Sequence, residues 1–306
     1  MNILGRIAVN TYDLALRHGL ARPEVIALMD GGICSQMHQY LLGRIFSDKG
    51  YKVSYDLSFF RHGGMDMDGK HTRNFDLPKA FPYIEVQKAP GFKVRAYRDK
   101  YFFTGNNTHE RTDDFSFLEK TPPVYLGGYY HWPAKLWLPA FRSSFRLDPS
   151  VLDDASRQLF REIKNRECPV AVHVRRGDLA AHDLWAYGKP ASVEYFRSGI
   201  EYIHTKASNP HFYFFSDEPA WVKDELVPTL GLAEEKYSAV SANGPDKGYM
   251  DLFLMAACRH TVTSKGTMGK YSALLGGGDT TEKIVILCDD TTELHWKDFF
   301  CNPVFL

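Results

Sequence analysis

The run Val170-Ala171-Val172-His173-Val174 leads straight into Arg175-Arg176-Gly177-Asp178. Such an apolar run predicts a buried strand, with Val170, Val172 and Val174 on one face and Ala171, His173 and Arg175 on the other. Two adjacent cations at the end of a buried strand are costly unless they meet anions. Asp178 neutralises one, which leaves a second arginine over for an anionic ligand, and a guanidinium fork fits phosphate oxygens bidentately. Ser264-Lys265-Gly266-Thr267 is another stretch suited to phosphate: a short hydroxyl- and glycine-bearing turn from a strand into a helix N-terminus. Its plain alternative is an ordinary N-cap. Asp251 stands in the first turn of a predicted helix, where acids are favoured whatever their role. Ser216-Asp217 follows a strand and precedes Pro219, so it also fits a capped turn. Gly31-Gly32 after the first strand lets the backbone come close to a ligand.

The elements that must hold these residues alternate between strand and helix. In the C-terminal half, helical spacing over 151–167 is followed by strand 169–174, helix 192–207, strand 211–215, helix 219–226, strand 237–240, helix 249–258, strand 261–263, helix 267–275 and strand 283–288. Gly276-Gly277-Gly278 stops the last helix. The N-terminal half is looser: a helical extension over 1–22, strand 25–29, a helix through Gln39, Leu42 and Ile45, strand 52–57, strand 124–127 and helix 134–141. Residues 60–71, rich in Gly, Asp and His, predict an active-site or mobile loop. Alternation of this kind predicts two Rossmann-like, doubly wound α/β domains, 1–148 and 149–306, facing across a cleft at the carboxyl ends of their strands.

The 306 residues hold 37 Lys+Arg against 37 Asp+Glu, so a nucleic-acid footprint is not expected and any anion site must come from locally gathered arginines. Cys34, Cys168, Cys258, Cys288 and Cys301 are odd in number and lack metal spacing, which suits buried reduced thiols in the cytoplasm. Charges interrupt every apolar run of the first thirty residues, so neither a signal peptide nor a membrane span is expected. Aromatic-rich 125–137 suits either an acceptor-binding wall or a core helix.

HVRRGD at 173–178 resembles the HxRRxD motif of the α-1,2-fucosyltransferases of glycosyltransferase family 11, a bacterial member being the nearest fit. Asp30-Gly31-Gly32-Ile33-Cys34-Ser35-Gln36-Met37-His38-Gln39-Tyr40 resembles the family's GGLGNQMFQYA stretch. Residues 55–60, 126–130, 212–217 with Trp221, and 251–255 with Cys258 and 263–267 resemble its other segments in the family's order. The resemblance implies a GT-B fold and an inverting, metal-independent transfer of L-fucose from GDP-fucose to O2 of a galactose. It implies the acceptor class too, a galactose-terminated oligosaccharide or lipid-linked glycan, as in O-antigen synthesis, with at most peripheral membrane contact at the inner face and no nucleic acid. It places Arg175 on the β-phosphate, His173 near the nucleoside, Asp251 on the guanine edge and Thr267 on the diphosphate, with Ser264, Lys265 and Gly266 in the same loop. Arg176 and Asp178 brace the arginine loop, Ser216 and Asp217 line the nucleotide side, and Gly31 and Gly32 shape the sugar site.

Ser35, His38 and Lys265-Gly266 depart from the family pattern. His38 joins Asp30, Asp56 and Asp178 as a candidate base, and Arg175, Asp178 and His38 form the expected catalytic set. Asp66-Met67-Asp68 has the spacing of a manganese-binding carboxylate pair, but its Gly-rich loop is the wrong setting. His62 and His71 lack a third ligand at metal spacing, so no metal is expected. Two other readings stay open: a different sugar-nucleotide donor, and a non-catalytic nucleotide- or sugar-binding homologue.

Overall fold

The structure, a computed structural model, describes residues 3–65, 72–104, 111–112, 114–181, 188–280 and 282–306. Asp66–Asp68, His71 and Asp113 lie outside the described residues. The chain divides into two compact units, Met1–Ser144 and Phe145–Leu306.

In the first unit, β1 (Val25–Leu28), β2 (Val53–Asp56), β3 (Phe102–Thr104) and β4 (Val124–Gly127) form a parallel sheet in the order β2-β1-β4-β3. Its longer helices are α1 (Ile3–Arg17), α2 (Ile33–Asp48), α3 (Gly91–Lys100) and α4 (Ala134–Ser144). The two faces of the sheet are covered by different helices. Met37, Leu41, Leu42 and Phe46 of α2 are buried. A Cβ at Gly43 would stand 2.4 Å from the Tyr55 hydroxyl, so glycine lets α2 lie against β2. On the opposite face Ile26 and Tyr125 pack with Val94 and Tyr97 of α3 and with Tyr12 and Leu16 of α1.

In the second unit, β5 (Cys168–Val174), β6 (Pro210–Ser216), β7 (Tyr237–Val240), β8 (His260–Val262), β9 (Ile284–Leu287) and β10 (Asn302–Phe305) are all parallel, in the order β10-β9-β8-β5-β6-β7. Its helices include α5 (Asp154–Asn165), α6 (Val193–Lys206), α7 (Gly248–Ala257) and α8 (Met268–Leu275). Every residue of β5 is buried, as a central parallel strand requires. Val170, Val172 and Val174 pack with Phe196, Ile200 and Ile203 of α6, while Ala171 packs with Ile163 of α5 and Leu254 and Met255 of α7. Each buried valine or leucine contributes about 1.5–3 kcal/mol. Asp153 and Ser192 cap α5 and α6, accepting from the N–H groups of Ser156 and Tyr195.

Both units are therefore doubly wound α/β layers. The sequence pattern missed α3, β3 and β10. Only Val94, Ala96 and Tyr97 of α3 are buried, too few to make a readable stripe. β10 contains Pro303, which is tolerated because that strand lies at the sheet edge. The expected helix 219–226 forms and runs on to Leu230, with a π-helical stretch over Val222–Leu226 between α-helical turns at Pro219–Trp221 and Val227–Leu230. Tyr125, Tyr130, Trp132 and Trp137 are all buried, so they belong to the core rather than to an exposed sugar-binding wall. Cys301 is exposed, unlike the other four cysteines.

Candidate functional site

In the second sheet the chain runs outward from β5 in one direction through β6 and β7, then returns to start again at β8 on the other side of β5. The gap between the carboxyl ends of β5 and β8 is a topological switch point, where open α/β sheets hold ligands. His173 and Arg175 stand at the end of β5, and Ser264–Thr267 follow β8. The two ends are joined. The Arg175 backbone N–H donates to Ser264 Oγ at 2.8 Å, and the same oxygen lies 3.1 Å from His173 Nδ1. A Cβ at Gly269 would stand 3.1 Å from the Cβ atoms of both His173 and Thr263, so a bare backbone seats the first turn of α8 on these strands. Burial, with the Lys270 and Arg175 charges, pushes His173 down to about 3. The imidazole is therefore neutral near pH 7.

The two arginines are both paired. Arg175 meets Asp178 through two bonds, Nε to Oδ1 at 2.9 Å and Nη2 to Oδ2 at 2.6 Å, with Asp217 Oδ2 3.6 Å from Nε. Burial opposes the Asp178 charge, but the Arg175 bonds outweigh it and hold this carboxyl below its ordinary value. Arg176 Nε donates to Glu218 Oε2 at 2.9 Å, and its guanidinium sits 4.2 Å from the centre of the Trp221 ring. The expectation of one arginine left over is therefore corrected: Glu218 supplies the second anion. Asp217 Oδ1 accepts from the Arg176 N–H at 2.9 Å, and Ser216 Oγ accepts from the Glu218 N–H at 2.9 Å. Ser216 and Asp217 thus fasten the arginine loop.

In the Ser264–Thr267 loop, Gly266 has φ +84°, the left-handed region that favours glycine. Thr267 occupies the N-cap position of α8, yet its side chain makes no capping bond, so the ordinary N-cap reading is not what holds it there. Lys265 turns away into the protein, with its ammonium 2.6 Å from Asp290 Oδ2 and 3.2 Å from Thr292 Oγ1. Burial works against the Asp290 charge, but Lys265 and Thr292 bring it down to about 2. Lys270, fully buried, donates to the Ser264 carbonyl and pairs with Glu293 at 2.7 Å. The segment 290–293 therefore anchors Lys265 in the loop and Lys270 just beyond it. No spacing signal pointed to it.

Asp251 lies in the first turn of α7, at the carboxyl edge of the same sheet. Asn243 Nδ2 donates to Asp251 Oδ1 at 2.7 Å, and Ser156 Oγ donates to Asn243 Oδ1 at 3.1 Å. Burial raises the Asp251 carboxyl to about 7, against the pull of the Asn243 bond. It can thus change charge near neutrality.

In the first unit, Gly31 has φ +68°, and a Cβ there would meet Ser35 Oγ at 2.9 Å. Gly32 is extended and N-caps α2. Gln36 donates to the carbonyls of Gly31 and Asn74 and accepts from the N–H groups of Asp76 and Leu77. Asp30 Oδ1 accepts from Gln39 Nε2 at 2.5 Å and from the Tyr129 hydroxyl at 2.9 Å. Asp56 is buried and accepts from Ser58 N–H and the Tyr125 hydroxyl. His38 is 2% exposed, stacked on Tyr130, and accepts from the Trp132 indole and the Tyr130 N–H. These bonds and the stacking fix the ring within the first unit. Among the described residues, no three His, Cys, Asp or Glu side chains gather as a metal site.

Fold and site define a doubly wound α/β protein with an arginine-tipped strand and a hydroxyl-bearing loop meeting at a switch point. The chain belongs to glycosyl transferase family 11, whose model matches residues 92–300. It is similar to the galactoside 2-alpha-L-fucosyltransferase Sec1 of Mus musculus, 32% identical over 151 residues, covering 46% of this chain and 39% of that one. It is also similar to the galactoside alpha-(1,2)-fucosyltransferase 2 of Bos taurus, 30% identical over 159 residues, covering 50% and 43%. The chain thus spans less than half the length of these curated relatives. Among solved structures, it is similar to the NodZ alpha-1,6-fucosyltransferase co-crystallized with GDP, at 13% identity and a TM-score of 0.48, covering 83% of this chain and 93% of that one. No helix among the described residues is long and apolar enough to cross a membrane.

Proposed function

We propose that this protein is a fucosyltransferase that moves L-fucose from GDP-fucose to O2 of a galactose in an oligosaccharide or lipid-linked glycan, with inversion and without a metal. The observation that carries this reading is the joint between Arg175 and Ser264 at the switch point. Breaking a sugar–phosphate bond leaves charge on the diphosphate, and fixed cations and donors aimed at that charge lower the barrier. Arg175 supplies the cation, oriented by Asp178. Thr267 and the N-terminus of α8 supply donors. His173, neutral and fixed by Ser264, lies beside them without adding a charge. Asp251 receives the nucleobase edge. The names of the curated relatives support the donor sugar and the linkage.

The test incubates the protein with GDP-fucose and lactose in EDTA and looks for 2′-fucosylated product. Arg175→Ala is expected to lower turnover by about 100-fold or more. Full turnover in that variant, or dependence on added metal, rejects the assignment. A non-catalytic nucleotide-binding reading draws on the pairing of Arg175 with Asp178. Slow hydrolysis of GDP-fucose in the absence of acceptor would exclude it.

A further inference from the structure

Helix α1 has two different faces. Its inner face packs on the first unit: Val9 is buried, and Tyr12 and Leu16 join the cluster around Tyr97 and Tyr125. Its outer face is also apolar. Ile3 is 77% exposed, Leu4 74%, Ile7 55% and Leu14 56%, and Leu20 just beyond the helix is 82% exposed. Ile3, Ile7 and Leu14 recur at helical spacing, so they form one stripe rather than scattered contacts. An outward aliphatic stripe on a helix already packed along its other side marks an interaction surface.

The exposed formal charges of residues 3–22 are of one sign. Arg6, Arg17 and Arg22 are exposed. Asp13, the single acid in residues 3–22, is turned inward, where Lys100, Tyr101 and Arg17 hold it. An aliphatic stripe with a cationic collar has the composition of a helix that lies in a membrane interface. A second copy of this chain fits worse, because two such faces would bring arginines against arginines.

We propose that the outer face of α1 docks on an anionic lipid bilayer, with Ile3, Leu4, Ile7 and Leu14 among the headgroups and Arg6 and Arg22 on their phosphates. This surface is independent of the donor sugar and of the switch-point site. It holds the first unit against a membrane surface.

The test is flotation of the full chain with vesicles of phosphatidylcholine alone and of phosphatidylcholine with phosphatidylglycerol. The chain is expected to float with the anionic vesicles, and less so as salt is raised. Ile7→Glu with Leu14→Glu is expected to weaken binding by at least about tenfold at unchanged melting temperature, since both side chains are exposed. Arg6→Ser and Arg22→Ser are each expected to cost about fivefold on anionic vesicles. Failure of the unaltered chain to float at low salt overturns the proposal, as does flotation unchanged by Ile7→Glu with Leu14→Glu. A dimer in solution that the same double variant dissociates would assign the stripe to a second copy instead, and would overturn it too.

Discussion

Asn243→Ala removes the 2.7 Å bond to Asp251 and leaves the burial that raises its carboxyl to about 7. A hydrogen bond to a charged group is worth about 1.5–3 kcal/mol, and about 1.4 kcal/mol moves a titration by one pH unit. The midpoint should therefore rise by about one to two pH units. An ionised carboxylate accepts both donors on a guanine edge, and a protonated one cannot. Affinity for GDP is thus expected to increase with pH through about 7 in the unaltered protein. In Asn243→Ala the same curve should be displaced to more alkaline pH. Calorimetric titration across neutral pH measures both, with UDP as the control for phosphate ionisation. An unmoved midpoint in Asn243→Ala would refute the reasoning about this bond. A flat GDP curve in the unaltered protein would instead remove Asp251 from the nucleobase.

Other outcomes follow from the same geometry. Asp251→Asn should weaken GDP binding yet raise stability above pH 7 by up to about 4 kcal/mol, measured by denaturant unfolding; the native carboxyl, raised from 3.8 to about 7, keeps its proton longer than the unfolded one, so its contribution to stability falls as pH rises through that window. Lys270→Met and Glu293→Gln should each cost about 3–5 kcal/mol by breaking a buried pair, while a Lys270→Met, Glu293→Leu double variant should cost less than the sum. His38→Phe should cost about 1–3 kcal/mol in unfolding, because the Trp132 indole loses its acceptor, with turnover within about threefold of the parent. A loss of turnover on the order of 100-fold in that variant would instead place His38 in the chemistry as a base.

The sequence by itself determined the alternation of elements and the tip of β5. Val170–Val174 could only be a buried strand, and a buried strand ending in Arg175-Arg176 had to bring anions to it. It also placed Gly266, Thr267 and Asp251 at strand-to-helix turns, since turn and cap residues act through local backbone geometry. What sequence alone could not decide was the partner of each charge. Arg176 meets Glu218 across 42 residues, and the Arg175 N–H meets Ser264 across 89. Lys265 and Lys270, local in sequence to the phosphate-type loop, are claimed by Asp290 and Glu293 from a segment with no motif. His38, a candidate base by residue type, finds its partners Trp132 and Tyr130 across 94 and 92 residues. Coulomb and hydrogen-bond energies depend on distances that only the sheet order fixes, and that order is a property of the whole fold.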